Sequence, residues 1–202
     1  MIFSRGKIRN RPKFKFGGDD IECVDSYTYL GILFNYNESF QKSIAKQVSQ
    51  ARKAKFSMLS KAKNVRLPTD IQCDLFEKLV LPVLLYGSEI WGCGDLKQAD
   101  VFHRKFLKEI LHLKSYTANC MVYGETGTFE IKDLVKMKMV SFWCRIITGS
   151  KNKLSFIMYK LLRSMHYDTE NTFTSKWIDS LENVFFTNTG LGHIWMKEIV
   201  SK

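Results

Sequence analysis

Two hydrophobic rhythms divide this chain. In its first part apolar residues alternate with polar ones. Lys13–Phe16 reads KFKF, Gly17-Gly18 can supply a tight two-residue turn, and Ile21–Val24 returns, which predicts a β-hairpin. Met1–Ser4 predicts another short strand. Tyr27–Phe34 (YTYLGILF) is aromatic and apolar and predicts one strand, with Gly31 inside it as a bulge or a point of close backbone approach.

From Phe40 the period lengthens. Phe40, Ile44, Val48, Ala51, Ala54, Met58 and Ala62 recur every three or four residues. At about 100° per residue they fill one sector of about 120°. Lys42, Lys46, Arg52, Lys53, Lys61 and Lys63 fall outside that sector, so the pattern predicts a long amphipathic helix with a basic outer face. Pro68-Thr69-Asp70 suits the first turn of the next helix. That helix runs through IQCDLFEKLVLPVLLYGSEIW. Being apolar nearly all round, it predicts a central buried helix, kinked or broken at Pro82, which lacks a backbone donor and crowds the preceding turn. Asp95 can cap a helix carrying Phe102, Phe106, Ile110 and Leu113. Lys132–Ile147 predicts another, with Leu134, Met137, Val140 (or Ser141) and Cys144 at helical spacing. Leu154–Met165, Phe173–Phe186 and Leu191–Val200 predict more. The fold class expected is mainly α, a helical bundle preceded by a small antiparallel β piece.

Composition sharpens this picture in two respects. With 45% hydrophobic and 13% aromatic residues among 202, the chain can build a core and is not expected to be disordered throughout. The net charge of +11 is uneven. Residues 1–16 and 41–67 contain no acid and together carry +14, leaving −3 for the rest of the chain. A polyanion, if bound, meets the first third; the other reading is a solvated basic face.

Candidate chemistry narrows the choices further. The five cysteines form no CxxC and read as reduced intracellular thiols. MIFSRGKIRNRPKFKF lacks the apolar stretch of a signal peptide, and the most apolar run, Leu79–Tyr86, is too short to cross a bilayer. No nucleophile-elbow or phosphate-loop motif is present. Cys93, His103, His112 and Cys120 lie 10, 9 and 8 residues apart, matching no compact zinc pattern. His103 and His112 are expected on opposite sides of one helix, so no metal site is expected. Trp91, Trp143, Trp177 and Trp195 can stack on bases or fill a core, and their apolar neighbours favour the core.

The chain carries, in order, MIFSRGKIR, FKFGGDDIECVDSYTYLGILF, SFQKSIAKQVSQARKAKFSML, LFEKLVLPVLLYGSEIWG, HRKFLKEILHLKSYTANCMVYGETG and the pair Phe142-Trp143. In this order the blocks resemble the C-terminal part of LINE-type (non-LTR) retrotransposon reverse transcriptases. LVLPVLLYGSEIWG is the most specific. The resemblance implies a remnant of palm strands over 1–36, a thumb-like helical region over 37–115 and a C-terminal helical region over 116–202. It implies that Tyr29, Leu30 and Gly31 form a primer-grip-like strand, with Tyr29 packed beneath the grip. It also implies that Lys42, Lys46, Arg52, Lys53, Lys61 and Lys63 hold the phosphates of an RNA/DNA template–primer duplex. The upstream palm and fingers are a second implied partner; a membrane is not. A nuclear location follows.

The catalytic aspartates of such polymerases, which hold Mg²⁺ for two-metal phosphoryl transfer, are expected upstream of Met1. Asp19-Asp20 could mimic them, but the pair falls at a polar turn downstream of the expected active-site hairpin. No catalytic residue and no cofactor are therefore expected in this chain, and no enzymatic activity by itself. The alternative is a stand-alone helical interaction or nucleic-acid-binding module. The first strands resemble part of a sheet, and an exposed sheet edge is poorly protected. Residues 1–36 are expected to be the least stable part, their amides exchanging with deuterium before those of the rest of the chain.

Overall fold

The computed structural model describes residues 13–37, 39–62, 65, 67–168 and 175–198. They are mainly helical, with two antiparallel β-hairpins ahead of the helices. Met1–Ser4, Lys63, Phe173 and Val200 lie outside the described residues. The chain forms two compact units: one holds the residues up to Tyr86 and Gly94–Thr117, the other Gly87–Cys93 and the residues from Ala118 onward. The hairpins thus share a unit with the first long helix.

In the first unit, β1 (Phe14–Phe16) pairs with β2 (Asp19–Ile21) in the register Phe14↔Ile21, Lys15↔Asp20 and Phe16↔Asp19. Gly17 and Gly18 make the turn, as their sequence signal predicts. Asp19 and Asp20 lie in the strand β2 and not in the turn. The single strand expected over Tyr27–Phe34 is instead a second hairpin. β3 (Ser26–Tyr29) pairs with β4 (Ile32–Asn35), with Tyr29 opposite Ile32. The backbone reverses at Leu30 and Gly31, where φ is +46° and +82°. Two consecutive left-handed residues make the two-residue turn whose twist matches a hairpin. Gly31 adopts this without cost; Leu30 costs about 1–2 kcal/mol. An apolar residue at a turn tip hid the break from the hydrophobic pattern.

Helix α1 (Gln41–Ala62) buries Ser43, Ile44, Gln47, Val48, Ala51 and Met58, the face the periodicity predicts. It packs on β4 and on three later elements of the unit. α2 (Thr69–Leu75) follows Pro68, then widens into a π-helical segment, Phe76–Val80, before α3 (Leu81–Leu84). The Leu81 N–H donates to the Phe76 carbonyl, five residues back. A π turn just before Pro82 accommodates the missing donor. The expectation of a helix buried on every side is corrected: Phe76, Val80, Leu84 and Leu85 are buried, but Ile71, Leu79 and Tyr86 are exposed. α5 (Lys97–Ile110) begins where the Asp95 carboxylate accepts from the Lys97 N–H at 2.9 Å. It ends at Ile110, so His112 and Leu113 lie beyond the helix, and Leu113 is exposed.

Phe76 stacks on Phe106 with ring centroids 3.9 Å apart and on His103 at 5.6 Å. Burial, with a smaller push from Arg104, lowers the His103 pKa from about 6.5 to about 4.

In the second unit, Gly87 in the left-handed region starts α4 (Ser88–Trp91), which packs on α7 (Ile131–Thr148). α6 (Asn119–Thr126), α8 (Leu154–Tyr167), α9 (Lys176–Asn183) and α10 (Gly192–Lys197) complete it, with a second π-helical segment at Val184–Asn188. α7 buries Ile131, Val135, Met139, Trp143 and Ile146, while Met137, on the stripe the sequence suggested, is exposed. Several stripes of α7 are apolar, and packing against α4 and α9 chooses among them. Trp91, Trp143 and Trp195 are fully buried, as expected of core residues. Trp177 is half-buried, its Nε1–H donating to the Glu89 carbonyl at 2.8 Å.

His103 makes stability pH-dependent. Its folded pKa lies below its unfolded value, so the unfolded chain takes up the proton first as pH falls. The stability present at pH 7 is lost progressively from about pH 6.5 toward about pH 4, by about 3 kcal/mol at most. Urea midpoints followed by circular dichroism at pH 7 and about pH 4.5 should differ more in the parent chain than in His103→Leu.

Candidate nucleic-acid interface

Charge and the helical period together set the outer face of α1. Lys42, Lys46 and Lys53 project within about 40° of one another, nearly opposite the buried stripe. Arg52 flanks this line on one side and Lys61 on the other. Lys42, Arg52, Lys53 and Lys61 are exposed and Lys46 is half-buried. From Lys42 to Lys61 the line is about 28 Å long. The other exposed residues between the cations are neutral: Ala45, Ser49, Gln50, Phe56, Ser57 and Ser60. Lys55 faces inward instead, its ammonium 2.5 Å from Glu109 and over the Phe106 ring. Lys63 lies outside the described residues.

The turn of the β3–β4 hairpin is brought to this face. Lys46 Nζ donates to the Gly31 carbonyl at 3.3 Å, which joins the Tyr29–Gly31 tip to the basic face. Tyr86 Oη donates to the Leu30 carbonyl at 2.9 Å. Its ring edge would lie 3.1 Å from a Cβ placed on Gly31, so a side chain there would be crowded as well as strained. The expected packing of Tyr29 beneath the grip is not what forms. Tyr29 is 60% exposed, and Tyr86 supports the turn. Tyr29, Leu30 and Gly31 are thus the exposed tip of a hairpin fastened to a helix end and to the basic face, and not the middle of a strand. Nothing local in the sequence marks Tyr86 for this task, because it lies 56 residues from Leu30.

A second residue escaped the sequence reading for another reason. Phe56 sits one turn beyond Arg52 and Lys53 and is 75% exposed. It is apolar but lies outside the buried sector, a position legible from the helical wheel alone.

No family model matches the chain. No solved structure matches it. It is 30% identical over 94 residues to a transposon-derived protein of Caenorhabditis elegans. The match covers 43% of this chain and 32% of that protein.

Asp19 and Asp20 are exposed on β2, and Asp20 pairs with Lys15 at 3.7 Å. As neighbours along a strand they point to opposite faces, so the two carboxylates do not converge. Cys93, His103, His112 and Cys120 form no ligand group among the described residues. The group that does converge there is His166, Asp179 and Glu182, with His166 Nε2 3.5 Å and 3.9 Å from the two carboxylates. The Ser175 N–H donates to His166 Nδ1 at 3.1 Å. Nδ1 therefore uses its lone pair on that bond and a ring proton sits on Nε2, facing the carboxylates, where a metal would need a lone pair. The three residues make a polar clasp between α8 and α9.

Replacing Tyr86 by Phe removes the hydrogen bond to the Leu30 carbonyl and keeps the ring. The β3–β4 turn is expected to loosen by about 1 kcal/mol, read as roughly fivefold faster amide exchange over Ser26–Asn35, with α1 unchanged.

Proposed function

We propose that this chain derives from a transposable element. We infer further that it is the thumb-like and downstream part of a LINE-type reverse transcriptase, which grips a template–primer duplex without polymerase activity of its own. The observation that carries this reading is the line Lys42–Lys46–Lys53, free of acids along its length, with the hairpin tip fastened beside it by Lys46 and Tyr86. The ordered blocks around YLG and LVLPVLLYGSEIWG support it, as does the similarity to a transposon-derived protein.

The chemistry required is modest. Phosphate contacts need positive charge and reach, not base edges, and each releases condensed counterions. A helix with no acid between its lysines can lie close to a sugar–phosphate backbone. The exposed hairpin tip lies beside one end of that line. On this reading the duplex is held and positioned here, while the chemistry belongs to groups this chain does not supply.

One observation favours the second reading, a helical interaction module. Leu154, Ile157, Met158 and Leu161 are all more than half exposed along α8, a stripe suited to a protein partner.

Retention on an RNA–DNA hybrid at two salt concentrations separates the readings. The duplex-gripping chain should lose about 10²-fold or more in affinity between about 50 and 200 mM salt. Joint charge reversal of Lys42, Lys46, Lys53 and Lys61 to Glu should abolish binding and leave the circular dichroism unchanged. No retention by the parent chain at low salt would end the nucleic-acid reading. Undiminished affinity in the fourfold variant would remove α1 from it.

A further inference from the structure

We propose that Phe56 is a base-contacting residue, and that the outer face of α1 binds nucleic acid bearing an unpaired base in preference to a continuous blunt duplex. The inference rests on the nucleic-acid reading above and deepens it.

Phe56 is the anomaly of its helix. The buried side of α1 is already filled by Ile44, Val48, Ala51 and Met58, yet Phe56 is 75% exposed. By the helical period it stands about 140° from Ala51, the middle of the buried stripe. Three and four residues before it are Lys53 and Arg52, both exposed, and these are its surface neighbours one turn away. On its other side is Ser60, four residues on and also exposed. The result is one planar apolar ring framed by two cations and a short hydroxyl.

Charge selects the occupant. The stretch 41–67 carries no acid, so an acidic backbone is attracted along the whole face, whereas an apolar peptide or a basic partner gains nothing from it. A polyanion that also offers a flat apolar surface satisfies both parts of the site. Nucleic acid with an exposed base does so. Arg52 and Lys53 meet the phosphates on either side of the nucleotide, and the ring stacks on the base, which every base permits. In a continuous duplex the bases are stacked on each other and present only edges, so the ring meets none of their faces. The site therefore discriminates by base exposure rather than by sequence.

The test is fluorescence anisotropy of the whole chain with three probes: a blunt RNA–DNA hybrid, the same hybrid with a short unpaired overhang, and the overhang strand alone. Parent and Phe56→Trp should bind the two probes with unpaired bases more tightly than the blunt hybrid. Phe56→Ala should bind them about tenfold more weakly. Its affinity for the blunt hybrid and its salt dependence should not change, since no charge is altered. A 2-aminopurine in the overhang should be quenched by the parent and not by Phe56→Ala. The residue is exposed, so its thermal midpoint should not move. Equal affinity of parent and Phe56→Ala for the overhang probe would overturn the proposal while leaving the phosphate grip intact. An equal loss on all three probes would also overturn it. Failure of the parent to bind any probe at low salt would end this inference together with the reading beneath it.

Discussion

Pro82 has no amide proton, so a regular α-helix through it would strip the Lys78 carbonyl of its donor and drive the ring into that turn. The chain meets this upstream, by widening to a π turn over Phe76–Val80 that closes with the Leu81 N–H on the Phe76 carbonyl. Much of the first unit follows from that adjustment. Phe76 and Val80 are both buried, Phe76 stacks on Phe106 and His103, and Leu84 and Leu85 continue the buried face after the proline. The chain then leaves the helix with Tyr86, whose hydroxyl reaches the Leu30 carbonyl. A hairpin that would be marginal alone is so anchored at its tip.

The same economy governs charge on α1. A helix can face a core and a polyanion at once only if its cations sort by side. Lys55 lies on the inward flank and is neutralised by Glu109. Lys42, Lys46 and Lys53 lie on the outward line, where the helix supplies no acid to compete with an external anion. Lys46 spends part of its bonding on the Gly31 carbonyl, so the basic line and the hairpin tip form a single surface.

The second unit solves a different problem, the burial of indoles with polar ends. Trp143 Nε1–H donates to Tyr159 Oη at 3.0 Å, and Tyr159 Oη reaches Glu198 at 3.2 Å. Trp195 Nε1–H donates to Tyr167 Oη at 3.1 Å, which in turn reaches Glu182 at 3.1 Å. Each buried donor is relayed outward to a carboxylate. Burial above all pushes Tyr159 up to about 12. Burial would raise Glu198 as well, but hydrogen bonding to Lys160 and the charge of Arg163 hold its carboxyl below the usual range. The relays pin α8 and α10 around the tryptophan core.

What the sequence determined by itself was whatever repeats along one element. The 3.6-residue period of α1 shows its buried face and its basic face together, and the Gly17-Gly18 turn, the Asp95 bond to the Lys97 N–H and the helices around Trp143 and Trp195 are equally local. The tertiary structure decided everything that depends on a second element. Tyr27–Phe34 reads as one strand because Leu30 looks like a strand residue; it becomes a hairpin where Tyr86, 56 residues away, holds the Leu30 carbonyl. The buried stripe of α7 was ambiguous because several of its faces are apolar, and only neighbours choose among them. The helical period puts Lys55 and Lys53 on different sides of α1, but only the packing of α1 on α5 decided that Lys55 meets Glu109. Local pattern records propensity and period, whereas contact between distant residues is fixed only when the chain closes on itself.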